Sequence, residues 1–103
     1  MYNLEYLPVA RQDMIDIVRY ISQDLKNPGA ADRLAEELVE AIENVLIFPY
    51  ASPAYQPIRS LKYEYRKILV KNFLIFYRVD EGKKLVTVTR VLYAKTDYKR
   101  LLE

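Results

Sequence analysis

Any chemistry performed by this chain must use lysine, arginine, tyrosine or carboxylate side chains, because its 103 residues include no histidine and no cysteine. The absence of histidine removes the usual general base, and the absence of both removes the commonest metal ligands. Lysine and arginine together number 16, and tyrosine occurs ten times. We therefore expect no metal, no cofactor and no disulfide, and we look for function among the cations and tyrosines.

These cations are unevenly distributed along the chain. Residues 1–49 hold nine acidic and four basic side chains, a net charge of −5, whereas residues 50–103 hold five acidic and twelve basic ones, a net charge of +7. Such an asymmetry predicts that the C-terminal half binds something anionic. The alternative is that the two halves simply attract each other across the core.

A predicted β-hairpin over Tyr65–Val79 must position several of these cations. Two runs of β-branched and aromatic residues, 65–71 and 73–79, flank Lys71-Asn72, and asparagine tolerates the positive φ of a tight turn. Alternation gives the hairpin one apolar face that belongs to the core. The opposite face mixes apolar and cationic side chains, namely Lys67, Leu69, Lys71, Leu74, Phe76 and Arg78. This mixture indicates a surface that meets a partner.

The rest of the chain supplies two helices and two further strands. The predicted elements are a strand over residues 2–7 closed by Pro8, helices over 9–26 and 29–48, the hairpin, a turn over 80–83 and a strand over 84–93. Asn27 is placed to cap the second helix, with Pro28 at its first position and Pro49 after its end. Gly82 is expected to take a positive φ in the last turn.

This order, β-α-α-β-β-β, predicts a single α+β domain over residues 1–103, with a helical hairpin packed on one face of a small, mostly antiparallel sheet. The tail over residues 95–102 is expected to form one helical turn. No apolar run is long enough to cross a membrane, and the N-terminus lacks the pattern of a secretory signal. We therefore expect a cytoplasmic protein without membrane contact.

Two arginines occupy strand positions whose side chains are predicted, by alternation, to face the core. In the last strand Val86, Val88, Arg90 and Leu92 share one predicted face, and Thr87, Thr89, Val91 and Tyr93 share the other. Alternation likewise predicts that Arg66 faces the core in the hairpin, as Arg90 does in the last strand. Because a charge in such a position must be paired, we expect an ion pair with Asp13, or else with Asp16, beside the apolar stripe of the first helix.

An ordered set of short motifs now points to a family. They are Ala10, Asp13, Ile17, Tyr20 and Ile21 on the first helix, Ala31 and Leu34 on the second, Phe48-Pro49, Tyr65-Arg66, the run Asn72–Val79, and Arg90-Val91-Leu92-Tyr93-Ala94-Lys95 with Asp97. Over some 90 positions the chain resembles the RelE/ParE superfamily of toxins from bacterial type II toxin–antitoxin modules. Asp13 on the long helical hairpin and the Arg90-Val91-Leu92 ending are more similar to the ParE branch.

The resemblance implies a growth-inhibiting toxin that a cognate antitoxin holds inactive, as in plasmid stabilisation modules. Two mechanisms occur on this fold, so the fold alone does not choose between them. ParE-like members bind and inhibit DNA gyrase, whereas RelE-like members cut mRNA on the ribosome without a metal. A third possibility is an inactive relative that only binds a partner.

RNA cleavage by attack of a 2′-hydroxyl would need a base, a proton donor and cations around the phosphorane. Carried over by resemblance, the catalytic candidates are Lys67 or Arg66 on the hairpin and Tyr93 or Tyr98 near the C-terminus. Alternation favours Lys67 over Arg66 for the open face.

Three more cations, Lys71, Arg78 and Lys95, would contact nucleic acid or another target. Leu74 stands where RelE-like members usually carry arginine, and this favours gyrase inhibition over RNA cleavage.

The family's antitoxins wrap the toxin with a C-terminal segment that is disordered when alone and folds on binding. This implies an apolar surface that waits for a partner. The expected antitoxin-binding residues are Leu69, Leu74, Phe76 and Val91 on the open face of the sheet.

Overall fold

The computed structural model describes residues 1–55, 63–96 and 101. Its elements are β1 (Asn3–Tyr6), α1 (Pro8–Arg19), a π-helical segment (Tyr20–Asp24), α2 (Pro28–Ile47), β2 (Arg66–Val70), β3 (Phe73–Asp80) and β4 (Leu85–Tyr93). None of these helices is long and apolar enough to cross a membrane, as far as the described residues go. The helical turn expected over residues 95–102 falls largely outside the described residues.

The four strands form one sheet in the order β1-β4-β3-β2. β1 runs parallel to β4, while β2 pairs with β3 and β3 with β4 in antiparallel fashion. In the chain α1 and α2 lie between β1 and the other three strands, and they cover one face of the sheet. The predicted α+β architecture is therefore confirmed.

Proline and asparagine set the helix boundaries. Pro8 begins α1 rather than merely closing β1, since a missing N–H costs nothing at the first helical position. Asn27 caps α2 as predicted: its side-chain oxygen accepts the Ala30 N–H at 3.1 Å. The first helix, predicted to reach Lys26, keeps α geometry only to Arg19 and then widens into the π-helical segment.

Two of the positive φ angles in the described residues lie within two positions of the residues predicted to carry them, and a third, 53° at Lys26, lies before α2. Lys71 has a φ of 54° and Lys84 a φ of 51°, whereas neither Asn72 nor Gly82 is left-handed. In the turn between β2 and β3, the left-handed residue is therefore Lys71, the first of the two turn residues. In the second turn the Lys84 N–H donates to the Glu81 carbonyl, so the left-handed residue is the last one before β4. Asp80 supports this turn by accepting the Lys83 N–H at 3.1 Å.

The main core lies between the helices and the sheet. Apolar side chains from α1, α2, β3 and β4 meet there, and the buried ones are Ala10, Leu34, Leu38, Ile42, Ile75, Val88 and Val91. Their spacing in α2 follows the helical period, so a single stripe faces the sheet. This packing holds the helical hairpin on one face, as the sequence predicts.

A β-bulge at Thr89 reverses the predicted phase of the second half of β4. Phe76 pairs with Arg90 but Tyr77 pairs with Val88, so Thr89 has no partner residue on β3. The extra residue turns Val91 toward the helices and Leu92 toward the reverse face. The predicted placement of Val91 on the open face and of Leu92 on the core face is therefore wrong.

The reverse face carries a core of its own. Leu74, Phe76 and Leu92 pack there with Tyr65, and Tyr55 from the preceding loop lies against them. The Tyr55 and Phe76 rings meet edge to face with centroids 6.0 Å apart. The predicted exposed apolar surface is thus wrong for three of its four members, since Leu74 and Phe76 are covered by this chain's own loop and Val91 lies beneath the helices.

Candidate functional site

An ion pair joins α1 to β4. The Asp13 carboxylate accepts bonds from Arg90 Nε at 2.8 Å and Nη2 at 2.9 Å, and also from the Val91 N–H at 3.0 Å. β1 covers the edge of β4 only as far as Val88, so α1, which follows β1, brings Asp13 to the uncovered part of that edge. The bond to Asp13 raises the pKa of Arg90, and both side chains are largely buried.

Arg66 does not share this carboxylate. It lies on β2, which is separated from β4 by β3, and it donates instead to Glu64 at 3.0 Å and to the Ser52 carbonyl. Its guanidinium carbon also lies 4.9 Å from the centre of the Tyr50 ring. The predicted pairing of Asp13 with Arg66 is therefore wrong, because the two residues sit over different strands. Asp16 accepts instead from Gln12 on its own helix.

The two main catalytic candidates lie on opposite faces of the sheet. Lys67 pairs with Phe76 on the reverse face, where its ammonium nitrogen is 5.1 Å from the Tyr55 ring centre. Tyr93 pairs with Phe73 on the helix side, where the two ring centroids are 5.8 Å apart. One phosphate group cannot contact both across the sheet. Tyr98 lies outside the described residues.

Arg78 occupies an acidic setting on the reverse face. Its guanidinium stacks on the Tyr63 ring, 4.0 Å from the centroid, beside a cleft of about 510 Å³. The charged residues that line the cleft are Glu5, Glu64, Arg78, Asp80, Glu81 and Lys83. Four carboxylates against two cations give this lining a net charge of −2, which disfavours a phosphate backbone.

The two remaining cations are dispersed. Lys71 sits in the hairpin turn, with its ammonium nitrogen 3.5 Å from Glu37 of α2. Lys95 is exposed just beyond β4. The six candidate groups that the structure describes, Arg66, Lys67, Lys71, Arg78, Tyr93 and Lys95, therefore form no single phosphate-binding surface.

Two apolar grooves were not anticipated from the sequence. The first, of about 610 Å³, opens where the π-helical segment meets the end of the sheet and is lined by Tyr20, Leu25, Phe73 and Tyr93 among others. The second, of about 450 Å³, lies between the C-terminal half of α2 and β2. The apolar spacing of α1 does not indicate that the helix widens into a π-helical segment. Both grooves also depend on how elements distant in the chain pack together.

A polar cluster at the other end of the sheet was also missed. Glu81 accepts the hydroxyl hydrogens of Tyr2 at 2.7 Å and Tyr50 at 2.6 Å, and Lys84 pairs with its second oxygen. The bond from Lys84, followed by those from the tyrosines, lowers the pKa of Glu81 to about 2. The bond to Glu81 raises the pKa of Tyr50 to about 12. The cluster ties the N-terminus and the segment after α2 to the β3–β4 turn.

Comparison with known proteins decides the family. The family model described as "ParE toxin of type II toxin-antitoxin system, parDE" matches residues 4–98. The chain belongs to this ParE toxin family. It is therefore a ParE-type toxin of a type II toxin–antitoxin system, as the residue motifs indicate. A search of curated protein sequences found no match.

Solved structures agree with this ParE assignment at the level of the fold. The chromosomal ParDE system of P. aeruginosa gives a TM-score of 0.70 at 16% identity, over 92% of this chain and 98% of that one. The RelBE2 complex of Mycobacterium tuberculosis gives 0.59 at 17% identity, over 89% and 96%. The intact E. coli RelBE complex gives 0.55 at 21% identity, over 93% and 100%.

Proposed function

We propose that this ParE-family toxin arrests growth in the cytoplasm by binding DNA gyrase, and that a cognate antitoxin neutralises it by binding the toxin. The proposal concerns a protein target and assigns no RNA cleavage to the chain. One observation carries it: Lys67 and Tyr93, the strongest catalytic candidates, lie on opposite faces of the sheet.

This separation matters because RNA cleavage without a metal requires a proton acceptor, a proton donor and charge stabilisation around a single phosphate. Lys67 lies beside Tyr55 over the reverse face, and Tyr93 lies against Phe73 on the helix side. No rotamer change carries either side chain through a packed sheet. A ParE-type inhibitor needs only a complementary surface, and this requirement is compatible with dispersed cations.

The electrostatics of the reverse face favour the same conclusion. An RNA strand that follows the reverse face from Lys67 toward Arg78 would meet the cleft lined by Glu5, Glu64 and Asp80. Like charges repel a phosphate backbone, and the low screening close to a protein surface increases that repulsion. A protein target with mixed charges avoids this penalty.

The antitoxin part rests on relatives and on exposed apolar surface. Solved relatives include the RelBE2 and RelBE toxin–antitoxin complexes. Of the four residues expected to bind the antitoxin, Leu69 is the one that remains exposed, at 66%. An antitoxin segment would therefore use Leu69 or the apolar grooves rather than Leu74, Phe76 and Val91.

The proposal is tested with purified gyrase, relaxed plasmid and ATP, to which the purified chain is added. We expect loss of supercoiling, and recovery when the antitoxin encoded beside the toxin is added in equal amount. In a translating extract we expect intact mRNA. The control is the double variant Lys67→Ala with Tyr93→Ala: mRNA cutting by the parent chain that disappears in this variant would establish the RelE-type nuclease instead. Absence of any growth arrest on expression would indicate an inactive relative.

A further inference from the structure

The groove beside the π-helical segment combines aromatic side chains with a carboxylate. Its volume is about 610 Å³, and its lining includes Ile17, Tyr20 and Leu25 on the helical side and Phe73 and Tyr93 on the sheet side. Tyr20 is 53% exposed, Leu25 55% and Tyr93 43%. A mostly apolar cleft of this size with a few polar groups is typical of a binding site.

The π-helical segment gives this groove its shape. The Leu25 N–H donates to the Tyr20 carbonyl at 3.0 Å, so the hydrogen bond spans five residues instead of the four of an α-helix. In an α-helix, side chains five residues apart point about 140° away from each other. The wider turn reduces this angle, and both Tyr20 and Leu25 line the groove. Turns of this kind occur frequently at functional sites.

The charge in this groove has one sign. Asp16 is the one charged residue among the described residues that line it, and one of its carboxylate oxygens accepts from the Gln12 amide at 2.8 Å. The other oxygen has no hydrogen-bond or ion-pair partner in the described part of the chain. Tyr20 lies one helical turn later, and its N–H donates to the Asp16 carbonyl, so the two side chains are neighbours on the helix surface. A carboxylate beside a tyrosine ring attracts a cation and repels an anion.

Among cationic side chains, arginine matches these features best. Its planar guanidinium stacks on aromatic rings and donates paired N–H groups to a carboxylate, and its aliphatic stem covers apolar surface. The chain itself shows such contacts: the Arg78 guanidinium lies 4.0 Å from the Tyr63 ring centre, and Arg66 lies over the Tyr50 ring while it pairs with Glu64. The groove beside the π-helical segment offers the ring and the carboxylate of this contact without a cation from the described residues.

We infer that this groove receives an arginine side chain from an apolar segment of a partner protein. The guanidinium bonds to the free oxygen of Asp16 and stacks on the Tyr20 ring, while the apolar neighbours of the arginine cover Leu25 and Tyr93. Because Asp16 is exposed, the charged contact is weak in free energy and acts mainly to select the segment, whereas apolar burial supplies most of the affinity. The inference is independent of the toxin's target.

The probes are capped heptapeptides of alanine and leucine whose central residue is arginine, norleucine or glutamate. Each is titrated into the isotope-labelled full chain and followed by NMR chemical shifts. We expect shifts at the groove residues, with the arginine peptide bound at least about threefold more tightly than the norleucine peptide and the glutamate peptide bound most weakly.

Variants of the chain assign this preference to single residues. Asp16→Asn and Tyr20→Leu should each weaken binding of the arginine peptide by about two- to fivefold and leave the norleucine peptide unaffected. The matched control is Asp24→Asn, an exposed carboxylate of the same π-helical segment outside the groove lining, which should change neither affinity. The amide spectra show whether each variant is folded.

Three results would overturn the inference. They are equal binding of the arginine and norleucine peptides, equal effects of Asp16→Asn and Asp24→Asn, and shifts that avoid the groove. Tighter binding of the arginine peptide to the variant Arg100→Gln would also overturn it, because the groove would then belong to this chain's own tail.

Discussion

The two faces of the sheet are closed by different means. On one face α1 and α2 cover a continuous apolar core; on the other, Tyr55 and Tyr65 from the segment before β2 bury a smaller one. Ile75 and Phe76 are neighbours on β3 and point to opposite faces, yet both are fully buried. Aromatic loop residues can therefore close a sheet face locally as completely as a helix does.

This difference changes where a partner can bind. An open apolar face would offer a broad platform, but the loop removes most of it and leaves a polar cleft around Arg78. In the described residues, two apolar grooves lie at the margins of the sheet, one next to Leu69 and one next to Tyr93. Partners of this toxin are thus expected to bind at the margins of the sheet.

The comparison is tested most strongly by truncating the two neighbours on β3. Phe76→Ala should lower the free energy of unfolding by about 3–5 kcal/mol and Ile75→Ala by about 2–5 kcal/mol, since each leaves a cavity in a closed core. Leu69→Ala, at an exposed site on the adjacent strand, should change it by less than about 0.5 kcal/mol. Urea denaturation measures all three. A loss below about 1 kcal/mol for Phe76→Ala would show that the loop does not close the reverse face.

A second prediction contrasts the two arginines at opposite sides of the sheet. Asp13→Ala should lower the free energy of unfolding by about 3 kcal/mol, because it leaves the largely buried charge of Arg90 without its partner and removes the acceptor of the Val91 N–H. Glu64→Ala should cost less than about 1 kcal/mol, because the Glu64 side chain that pairs with Arg66 is mostly exposed. Equal losses in thermal or urea unfolding would contradict the distinction between a buried and a surface pair.

The smallest effect concerns the exposed Glu81 cluster and depends on pH. Folding lowers the pKa of Glu81 from 4.5 to about 2, so its stabilisation is present above pH 4.5 and is lost as the pH falls toward 2. Folding raises the pKa of Tyr50 from 10.0 to about 12, so its stabilisation is present below pH 10 and is lost as the pH rises toward 12. Glu81→Gln should flatten both ends of the profile of melting temperature against pH. Superimposable profiles for parent and variant would refute this role.

Local signals in the sequence determined the element order, the αα-hairpin, the capping of α2 by Asn27, the β2–β3 hairpin and the ParE-family motifs. These features depend on residues close together in the chain, where helical and strand periods and proline positions act directly. Even one distant contact, Asp13 with Arg90, was predicted correctly, because a charge among apolar strand residues needs a partner, although the bulge turns Arg90 out of the core-facing alternation on which the prediction relied. The same argument failed for Arg66 because it could not tell which strand α1 would cover.

Only the tertiary structure decided which side chains share a surface. The bulge at Thr89 inserts one extra residue into β4. Because side chains alternate between the two faces, every later side chain then points to the face opposite the predicted one, and Val91 and Leu92 exchange faces. Tyr55 covers Phe76 although 20 positions separate them in the chain, so no local pattern reports that burial. The sequence predicts Lys67 and Tyr93 as parts of one site, but the two side chains lie on opposite faces of a packed sheet. The face to which a strand residue points is set by strand pairing and not by residue type.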